Sequence, residues 1–348
     1  MLPWLGQHLT QLFGPFRLFN SYLFLGGIGT AMAALATWYS LPKLWGFLPH
    51  DRGRAHAVNS EESRGKPVGA GLIFVPIFAI VALLVIPFDW RVVGIVTCVL
   101  LSTLEGYLDD RSHGWSEYTL GLMDLGISLT AAITLCQFHE YEIWLPLLKT
   151  SIMLSPWLFI PLTTLILWLM INATNCTDGV DGLSASLAIL AFIYLGSILY
   201  GIVGHTDISR YLLVPHYVEG ANWALMAFIM VGCLAGYLWH NSLPSVVLMG
   251  DAGSRPMGLL IGILVMAAGN PFLIFVVAGI VLVNGATGLL KVALLRFFKI
   301  KIFKSIRYPL HDHVRHTLGW SNTQVLVRFV LLQAVGTPIL LILLFKVR

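Results

Sequence analysis

The chain has 348 residues, of which 57% are apolar and 11% are charged, and its mean hydropathy is +0.82. Soluble domains carry about 25% charged residues, so this composition excludes an ordinary soluble protein. The net charge of +4 is too small to indicate nucleic-acid binding. The apolar runs are continuous rather than alternating, which argues against an outer-membrane β-barrel. We therefore predict an all-α polytopic membrane protein.

Ten stretches of the chain approach the length of about 20 apolar residues that a membrane span needs. They lie near 22–41, 67–87, 92–108, 119–137, 156–172, 184–203, 221–239, 255–269, 272–294 and 324–345. Residues 1–20 precede them and carry spaced Leu, Phe and Trp side chains, which suit a helix lying along the membrane interface. We predict a single membrane domain over residues 1–348.

Lysine and arginine concentrate in one set of the predicted loops, which the positive-inside rule places in the cytoplasm. That set includes Lys43, Arg64, Lys66, Arg111, Arg255, Lys291, Lys304 and Arg307. Because ten spans are an even number, both chain termini are then expected outside the cytoplasm.

Aspartates cluster on the same predicted face, and positive-inside topology does not explain them. They are Asp109, Asp110, Asp178, Asp181, Asp251 and Asp312. Carboxylates at the ends of membrane helices are costly unless they bind cations or take part in chemistry. Mg²⁺ is commonly held by one or two carboxylates together with substrate phosphates, so the cluster predicts a magnesium site. The alternative is that these acids are solvated or pair with neighbouring Lys and Arg.

Three segments place these acids in a chemical context. Asp109 and Asp110 end the third predicted span. Asp178 and Asp181 are three residues apart, with glycines beside them that allow a ligand to approach the backbone closely. Small residues surround Asp251 just before a span, which could set backbone N–H groups and a metal ligand against a diphosphate. All three segments fall on one face, which indicates a single site with its cleft open to the cytoplasm.

The last predicted cytoplasmic loop is rich in histidine and arginine. It includes His311 and His313, and such side chains could bind an anionic head group or stabilise developing charge on a phosphate. The alternative is an interfacial basic segment that touches anionic lipid.

The chain resembles the polyprenyl-phosphate N-acetylhexosamine-1-phosphate transferase superfamily. Three motifs carry the resemblance: Asp109-Asp110, the run from Asn175 to Leu183 (Asn-Cys-Thr-Asp-Gly-Val-Asp-Gly-Leu), and Met249 to Ser254 (Met-Gly-Asp-Ala-Gly-Ser). The segment Pro309 to His313, followed by Gly319-Trp320-Ser321, is similar to the phospho-N-acetylmuramoyl-pentapeptide transferase branch. The resemblance extends back to Asp51-Arg52-Gly53 and His56.

The resemblance implies a multi-pass enzyme of the bacterial inner (cytoplasmic) membrane that requires Mg²⁺. In such an enzyme, UDP-MurNAc-pentapeptide donates its phospho-sugar to undecaprenyl phosphate, which releases UMP and forms lipid I, the first lipid-linked peptidoglycan precursor. Homologues form dimers, so the resemblance also implies a homodimer as a candidate assembly.

The resemblance assigns roles to individual positions. Asp251 matches the Mg²⁺ ligand, and Asp109 and Asp110 match a pair of which one assists the attacking lipid phosphate. The remaining positions fall into two groups. Those expected to act in catalysis are Asp178, His311 and His313. Those expected to bind substrate are Arg64, Lys66, Asn175, Gly179, Val180, Asp181, Asn241 and Leu248.

Four positions depart from the family pattern. Asp312 replaces the middle histidine of a three-histidine segment, and Leu248 replaces an aromatic side chain that stacks on uracil. Asn284 stands in place of a glutamate, and Asp124 in place of a glutamine.

Two other functions remain as alternatives. One is a transferase of the same superfamily that uses UDP-GlcNAc, or another UDP-sugar, for a different surface polymer. The other is a secondary transporter with carboxylates as ion sites, although such sites usually lie near the bilayer midplane on broken helices.

Overall fold

The computed structural model describes residues 1–51, 53, 63–112 and 114–346, so Arg52 and His56 of the family resemblance lie outside the described residues. Fifteen α-helices and one short hairpin make up most of the regular structure of the described part, together with 3-10 helices at Gly14–Asn20 and Trp45–Phe47 and a π-helical turn at Leu199–Val203. The helices are α1 Leu2–Leu9, α2 Tyr22–Leu44, α3 Gly71–Val85, α4 Trp90–Arg111, α5 Glu117–Cys136, α6 Pro156–Thr177, α7 Leu183–Ile198, α8 Thr206–Tyr211, α9 Gly220–Asn241, α10 Asp251–Ala267, α11 Leu273–Val277, α12 Gly279–Val281, α13 Thr287–Phe298, α14 Leu310–Leu318 and α15 Asn322–Lys346. Strands β1 Tyr141–Ile143 and β2 Ile152–Leu154 pair antiparallel, with Tyr141 opposite Leu154.

Eight helical segments in the described part of the chain are long and apolar enough to cross a membrane. They are Tyr22–Phe47, Trp90–Arg111, Glu117–Cys136, Pro156–Thr177, Leu183–Val203, Gly220–Asn241, Gly279–Phe298 and Asn322–Lys346. Two further stretches predicted as spans are helical but shorter: α3 has 15 residues and α10 has 17. The all-α polytopic class is confirmed.

Helix α10 lies at the centre of the bundle. It packs against α3, α4, α5, α6, α7 and α9, and each of its 17 residues is buried. Glycines allow this close packing: a Cβ added at Gly106 of α4 or at Gly71 of α3 would overlap the backbone of Asp251 to Gly253. The first turn of α10 is thereby held inside the protein rather than at its surface.

The prediction of a cytoplasmic loop position for Arg255 is wrong. Arg255 lies in the first turns of α10 and only 4% of its surface is exposed. The predicted span began at residue 255, but the helix begins four residues earlier at Asp251. Arg255 is therefore a buried cation with buried partners.

The predicted span 272–294 is broken rather than continuous. Helix α11 ends at Val277 and α12 begins at Gly279, with π-helical turns at Leu282–Ala286 before α13. Gln333 of α15 spans the break: its Nε2 donates to the carbonyl of Val276 at 3.0 Å, and its Oε1 accepts from the N–H of Ile280 at 2.9 Å. Backbone groups freed at membrane depth need such partners, and the polar side chains of α15 supply them.

Candidate active site

The candidate site lies where several helices end together at one end of the bundle. Helices α4, α6 and α9 finish there, while α7 and α10 begin there. Side-chain contacts between these termini bring together motifs that are far apart in the sequence. The segments around Asp110, Asn175 and Asp251 are in direct contact with one another.

Asp110 caps the start of α10 from the neighbouring helix α4. The N–H of Asp251 donates to its Oδ1 and the N–H of Ala252 donates to its Oδ2, both at 3.0 Å. Gly250 precedes them with φ of +67°, a conformation that glycine adopts without strain; a Cβ there would overlap the Asp110 carboxylate. Asp110 thus satisfies two N–H groups at the positive end of a helix.

Asp251 is the first residue of α10 and is 8% exposed. Its Oδ2 accepts a hydrogen bond from Asn175 Nδ2 at 2.8 Å and from Arg255 Nε at 3.0 Å. Arg255 also approaches this oxygen through Nη2 at 2.9 Å. The carboxylate is therefore fixed from α6 and from its own helix, which gives it a defined orientation.

Asp109 is adjacent to Asp110 in sequence but has a different backbone partner. Its Oδ1 accepts from the N–H of Trp115 at 2.7 Å, which closes the turn between α4 and α5. Asp109 is only half-buried. The two aspartates of the pair thus have different hydrogen-bond partners: Asp110 caps α10, whereas Asp109 accepts from the turn after α4.

Lys66 and Asp181 meet at a second cluster. Their Nζ and Oδ2 atoms are 3.8 Å apart, Lys66 Nζ donates to Ser245 Oγ at 3.0 Å, and the N–H of Ser245 donates to Asp181 Oδ2 at 3.2 Å. The cluster joins the segment before α3 to the loops before α7 and α10. The positive charge of Lys66 and the negative charge of Asp181 both remain partly exposed.

Two predicted substrate residues are engaged within the protein. Asn241 is 5% exposed; its Oδ1 accepts from the N–H of Gly182, and its Nδ2 donates to the carbonyl of Val247, each at 2.8 Å. Leu248 pairs through its backbone with Pro67 and Ala70. Both residues therefore shape the loops around the site, and their contact with substrate stays a prediction.

His311 brings the last loop onto the acidic motif after α6. A Cβ added at Gly179 would overlap the His311 imidazole, so the two residues are in contact. Asn284 Oδ1 accepts from the backbone N–H of His311 at 2.8 Å, and the Asn284 amide also lies 3.1 Å from His311 Nδ1. His311 is 2% exposed, and the glycine that it contacts directly follows Asp178, so the last loop reaches the acidic motif.

Asp312 lies beside His311 and is paired within the protein. Its Oδ1 lies 3.7 Å from His311 Nε2 and accepts from Arg315 Nη1 at 3.4 Å. In the first turn of α14, a carboxylate also interacts favourably with the helix dipole. An acid in place of the family's middle histidine is thus accommodated by Arg315.

His313 and Arg64 lie apart from these contacts. His313 Nδ1 accepts from the N–H of Arg307 at 3.3 Å and lies 3.3 Å from Thr317 Oγ1. Arg64 is exposed and lines a cleft of about 610 Å³ together with Asp51 and Arg111. Because Arg111 directly follows the aspartate pair, this basic cleft adjoins the site.

Sequence reasoning missed the buried partners of the site. It placed Arg255 in a loop, and it treated Asn284 only as a departure from the family pattern. Asn172 received no role, yet its Nδ2 donates to Asp124 Oδ2 at 3.2 Å. The available signal was helical spacing: Asn172 and Asn175 lie three residues apart, and Asp251 and Arg255 four apart, so each pair shares a helix face.

Comparison with known proteins identifies the family of the chain. Residues 92–269 match Glycosyl transferase family 4. The chain is 47% identical, over 98% of its own length and 95% of the relative's, to phospho-N-acetylmuramoyl-pentapeptide-transferase of Treponema pallidum subsp. pallidum. Relatives of the same name include those of Brachyspira hyodysenteriae, 31% identical over 69% of this chain and 60% of theirs, and Nautilia profundicola, 28% identical over 83% and 84%. The chain belongs to the phospho-N-acetylmuramoyl-pentapeptide-transferase family.

Proposed function

We propose that this protein transfers phospho-MurNAc-pentapeptide from UDP-MurNAc-pentapeptide to undecaprenyl phosphate, releasing UMP and forming lipid I in peptidoglycan synthesis. The observation that carries this proposal is the 47% identity along 98% of the chain to a relative that is named for the reaction. The joined helix ends around Asp251 support it, because they fix a carboxylate, of the kind that binds Mg²⁺ together with substrate phosphates, beside the Asp109-Asp110 and Asn175 motifs.

The proposed setting is a single domain over residues 1–348 in the bacterial inner membrane. Ten spans, counting the short helices α3 and α10, would place both termini outside and the cleft on the cytoplasmic face. Helix α1 would lie along the interface. A homodimer is proposed from the resemblance alone.

Mg²⁺ is the proposed cofactor, and the donor set around Asp251 fits it. No group of three or more His, Cys, Asp or Glu side chains able to hold a metal occurs among the described residues. Mg²⁺ typically uses one or two carboxylates and completes its shell with substrate phosphates and water. The carboxylate of Asp251, which accepts a hydrogen bond from Asn175, would be the protein ligand. The bound cation would neutralise charge on the diphosphate.

The proposed reaction is a direct displacement at phosphorus. An oxygen of undecaprenyl phosphate forms a bond to the phosphorus that carries the sugar, while the bond from that phosphorus to the bridging oxygen breaks and UMP leaves with the electron pair. Phosphoryl transfer needs in-line positioning and charge neutralisation more than covalent catalysis. A phosphate monoester is already largely ionised at neutral pH, since its second pKa is about 6, so Asp109 would orient the acceptor phosphate or take its remaining proton.

The remaining site residues would bind and orient the nucleotide sugar. Lys66 and Asp181 form the charged cluster nearest the loop before α7. His311, resting on Gly179, would donate to a phosphate oxygen beside Asp178. Three groups complete the proposed set. Asn241, Val180 and Leu248 would shape the nucleoside pocket, and Asn175 would hold the metal ligand. Arg64 would bring positive charge to the cleft, and His313 would act with His311 in catalysis, as the resemblance implies.

The test is UMP release by purified protein given UDP-MurNAc-pentapeptide and undecaprenyl phosphate, with and without Mg²⁺. We expect release that depends on Mg²⁺ and is lost in Asp251→Asn, which keeps size but removes the charge. Glu219→Gln is the matched control, because it removes a carboxylate that pairs with Arg91 outside the site. UDP-GlcNAc serves as a second donor.

The outcomes separate the candidate functions. Release from the muramyl donor supports the proposal. Release from UDP-GlcNAc alone would assign the protein to the sister activity for another surface polymer. An absence of release from both donors, with folded protein, would overturn the transferase proposal.

A further inference from the structure

A closed ring of buried and half-buried polar side chains connects the proposed metal ligand to two neighbouring helices. Arg255 donates through Nε to Asp251 Oδ2 at 3.0 Å and through Nη1 to Asp124 Oδ2 at 2.7 Å. Asn172 and Asn175, one turn apart on α6, donate to Asp124 and Asp251 respectively. The ring therefore runs from α6 through α5 and α10 and returns to α6.

The charged members of the ring are buried within the bundle, whereas Asn172 and Asn175 are half-buried. Asp124 is fully buried and Arg255 is 4% exposed. Glu105 adds a third buried carboxylate, with Oε1 4.0 Å from Arg255 Nη1. Interior charges act on one another strongly because water screens them little, and a buried cation that loses its partner is left uncompensated.

The guanidinium has two functions in this geometry. It fixes the orientation of Asp251 through two nitrogens on one oxygen, and it places a positive charge beside the position proposed for a divalent cation. Asp124 holds the other end of the guanidinium and offsets that charge. A change at Asp124 would therefore reach Asp251 through Arg255.

We propose that Asp124 is a positioning residue that acts through Arg255 to set the affinity of the Asp251 site for a divalent cation. This inference rests on the proposed function, because it takes Asp251 as the metal ligand. Groups that hydrogen-bond a metal ligand commonly change the affinity for the metal by about 10–100-fold when mutated. Arg255 is such a group, and because Asp124 acts through it, we expect the lower end of this range from Asp124→Asn.

The test measures binding of Mn²⁺ by the full-length purified protein with UDP-MurNAc-pentapeptide present and acceptor lipid absent. The signal is the loss of free Mn²⁺ in electron paramagnetic resonance, so it does not depend on turnover. Asp124→Asn is expected to weaken Mn²⁺ binding at least about tenfold. Glu219→Gln, which breaks the Arg91 pair elsewhere, is expected to bind like the wild type.

A double-mutant cycle tests whether Asp124 acts through Arg255. Arg255→Gln and the double variant Asp124→Asn/Arg255→Gln are expected to bind Mn²⁺ equally, because the second change has no guanidinium left to hold. Additive losses would overturn the inference. The inference would also be overturned if Asp124→Asn lowered the unfolding temperature but kept wild-type Mn²⁺ affinity. That result would mean that the Asp124–Arg255 pair only stabilises the fold.

Two further variants keep the test decisive. If Asp124→Asn does not yield folded protein, Arg255→Lys replaces it. The lysine ammonium cannot reproduce the planar guanidinium that reaches both Asp251 and Asp124. Wild-type Mn²⁺ affinity in Arg255→Lys would overturn the inference. Asp251→Asn separates this inference from the proposed function. If Asp251→Asn abolishes Mn²⁺ binding while Asp124→Asn leaves it unchanged, only the role of Asp124 is wrong, and if neither alters it, the metal site itself is wrong.

Discussion

Two adjacent aspartates with the same chemistry occupy different environments. Asp110 accepts two backbone N–H groups of α10, whereas Asp109 accepts one from the following turn. A local motif cannot distinguish them, because both end the same helix. The partner of Asp110 is separated from it by 141 residues in the sequence.

This difference predicts separable mutant effects. Asp110→Ala removes the cap of α10 and is expected to lower the free energy of unfolding by about 1–2 kcal/mol as well as activity. Asp109→Asn keeps an acceptor oxygen for Trp115 and is expected to lose activity with an unchanged unfolding temperature. Thermal unfolding in detergent, run beside UMP release, checks both. Equal destabilisation by the two variants would contradict the assignment.

The contact between Gly179 and His311 predicts a steric effect on activity. Gly179→Ala is expected to push the imidazole aside and reduce turnover by about a hundredfold, since a displacement of about 1 Å at a site can have that effect. Gly46→Ala is the control, because a Cβ there meets no atom within 4 Å. Steady-state UMP release measures both variants, and wild-type turnover in Gly179→Ala would show that His311 needs no fixed position.

At the scale of elements, the start of α10 determines the geometry of the site. Its first turn is surrounded by α3 and α4 through Gly71 and Gly106, which permits a carboxylate of α4 to reach two backbone N–H groups. Hydropathy predicted that a helix lies here, but it began that helix at residue 255. Asp251 and Ser254 are polar, so a search for apolar stretches leaves out the first turn of α10, which contains the proposed metal ligand.

The broken helix between α11 and α13 predicts a dependence on α15. Gln333→Leu leaves the buried N–H of Ile280 without its acceptor, and we expect it to lower the free energy of unfolding by about 1–3 kcal/mol. The carbonyl of Val276 keeps Thr337 as a donor at 2.9 Å. Thermal unfolding of Gln333→Leu beside the exposed change Gln7→Leu is the measurement, and equal stability of the two would contradict it.

At the scale of the whole molecule, the basic loops predict one orientation in the membrane. Lys346→Cys is expected to react with a membrane-impermeant maleimide in intact cells, whereas Lys304→Cys should react only after permeabilisation. Both side chains are exposed, so access rather than burial decides the labelling. Labelling of the unmodified chain measures the background reaction of its own cysteines. The opposite labelling pattern would contradict the predicted orientation.

The sequence by itself determined the membrane class, the position of nearly every long helix and the motifs that contain the site. These are local properties, since apolar content and residue spacing act over one or two helical turns. Only the tertiary structure decided that Asp110 caps α10, that Arg255 is buried between Asp251 and Asp124, and that Asn284 holds His311. Such contacts join residues on different helices, and they depend on how closely the small residues let those helices pack.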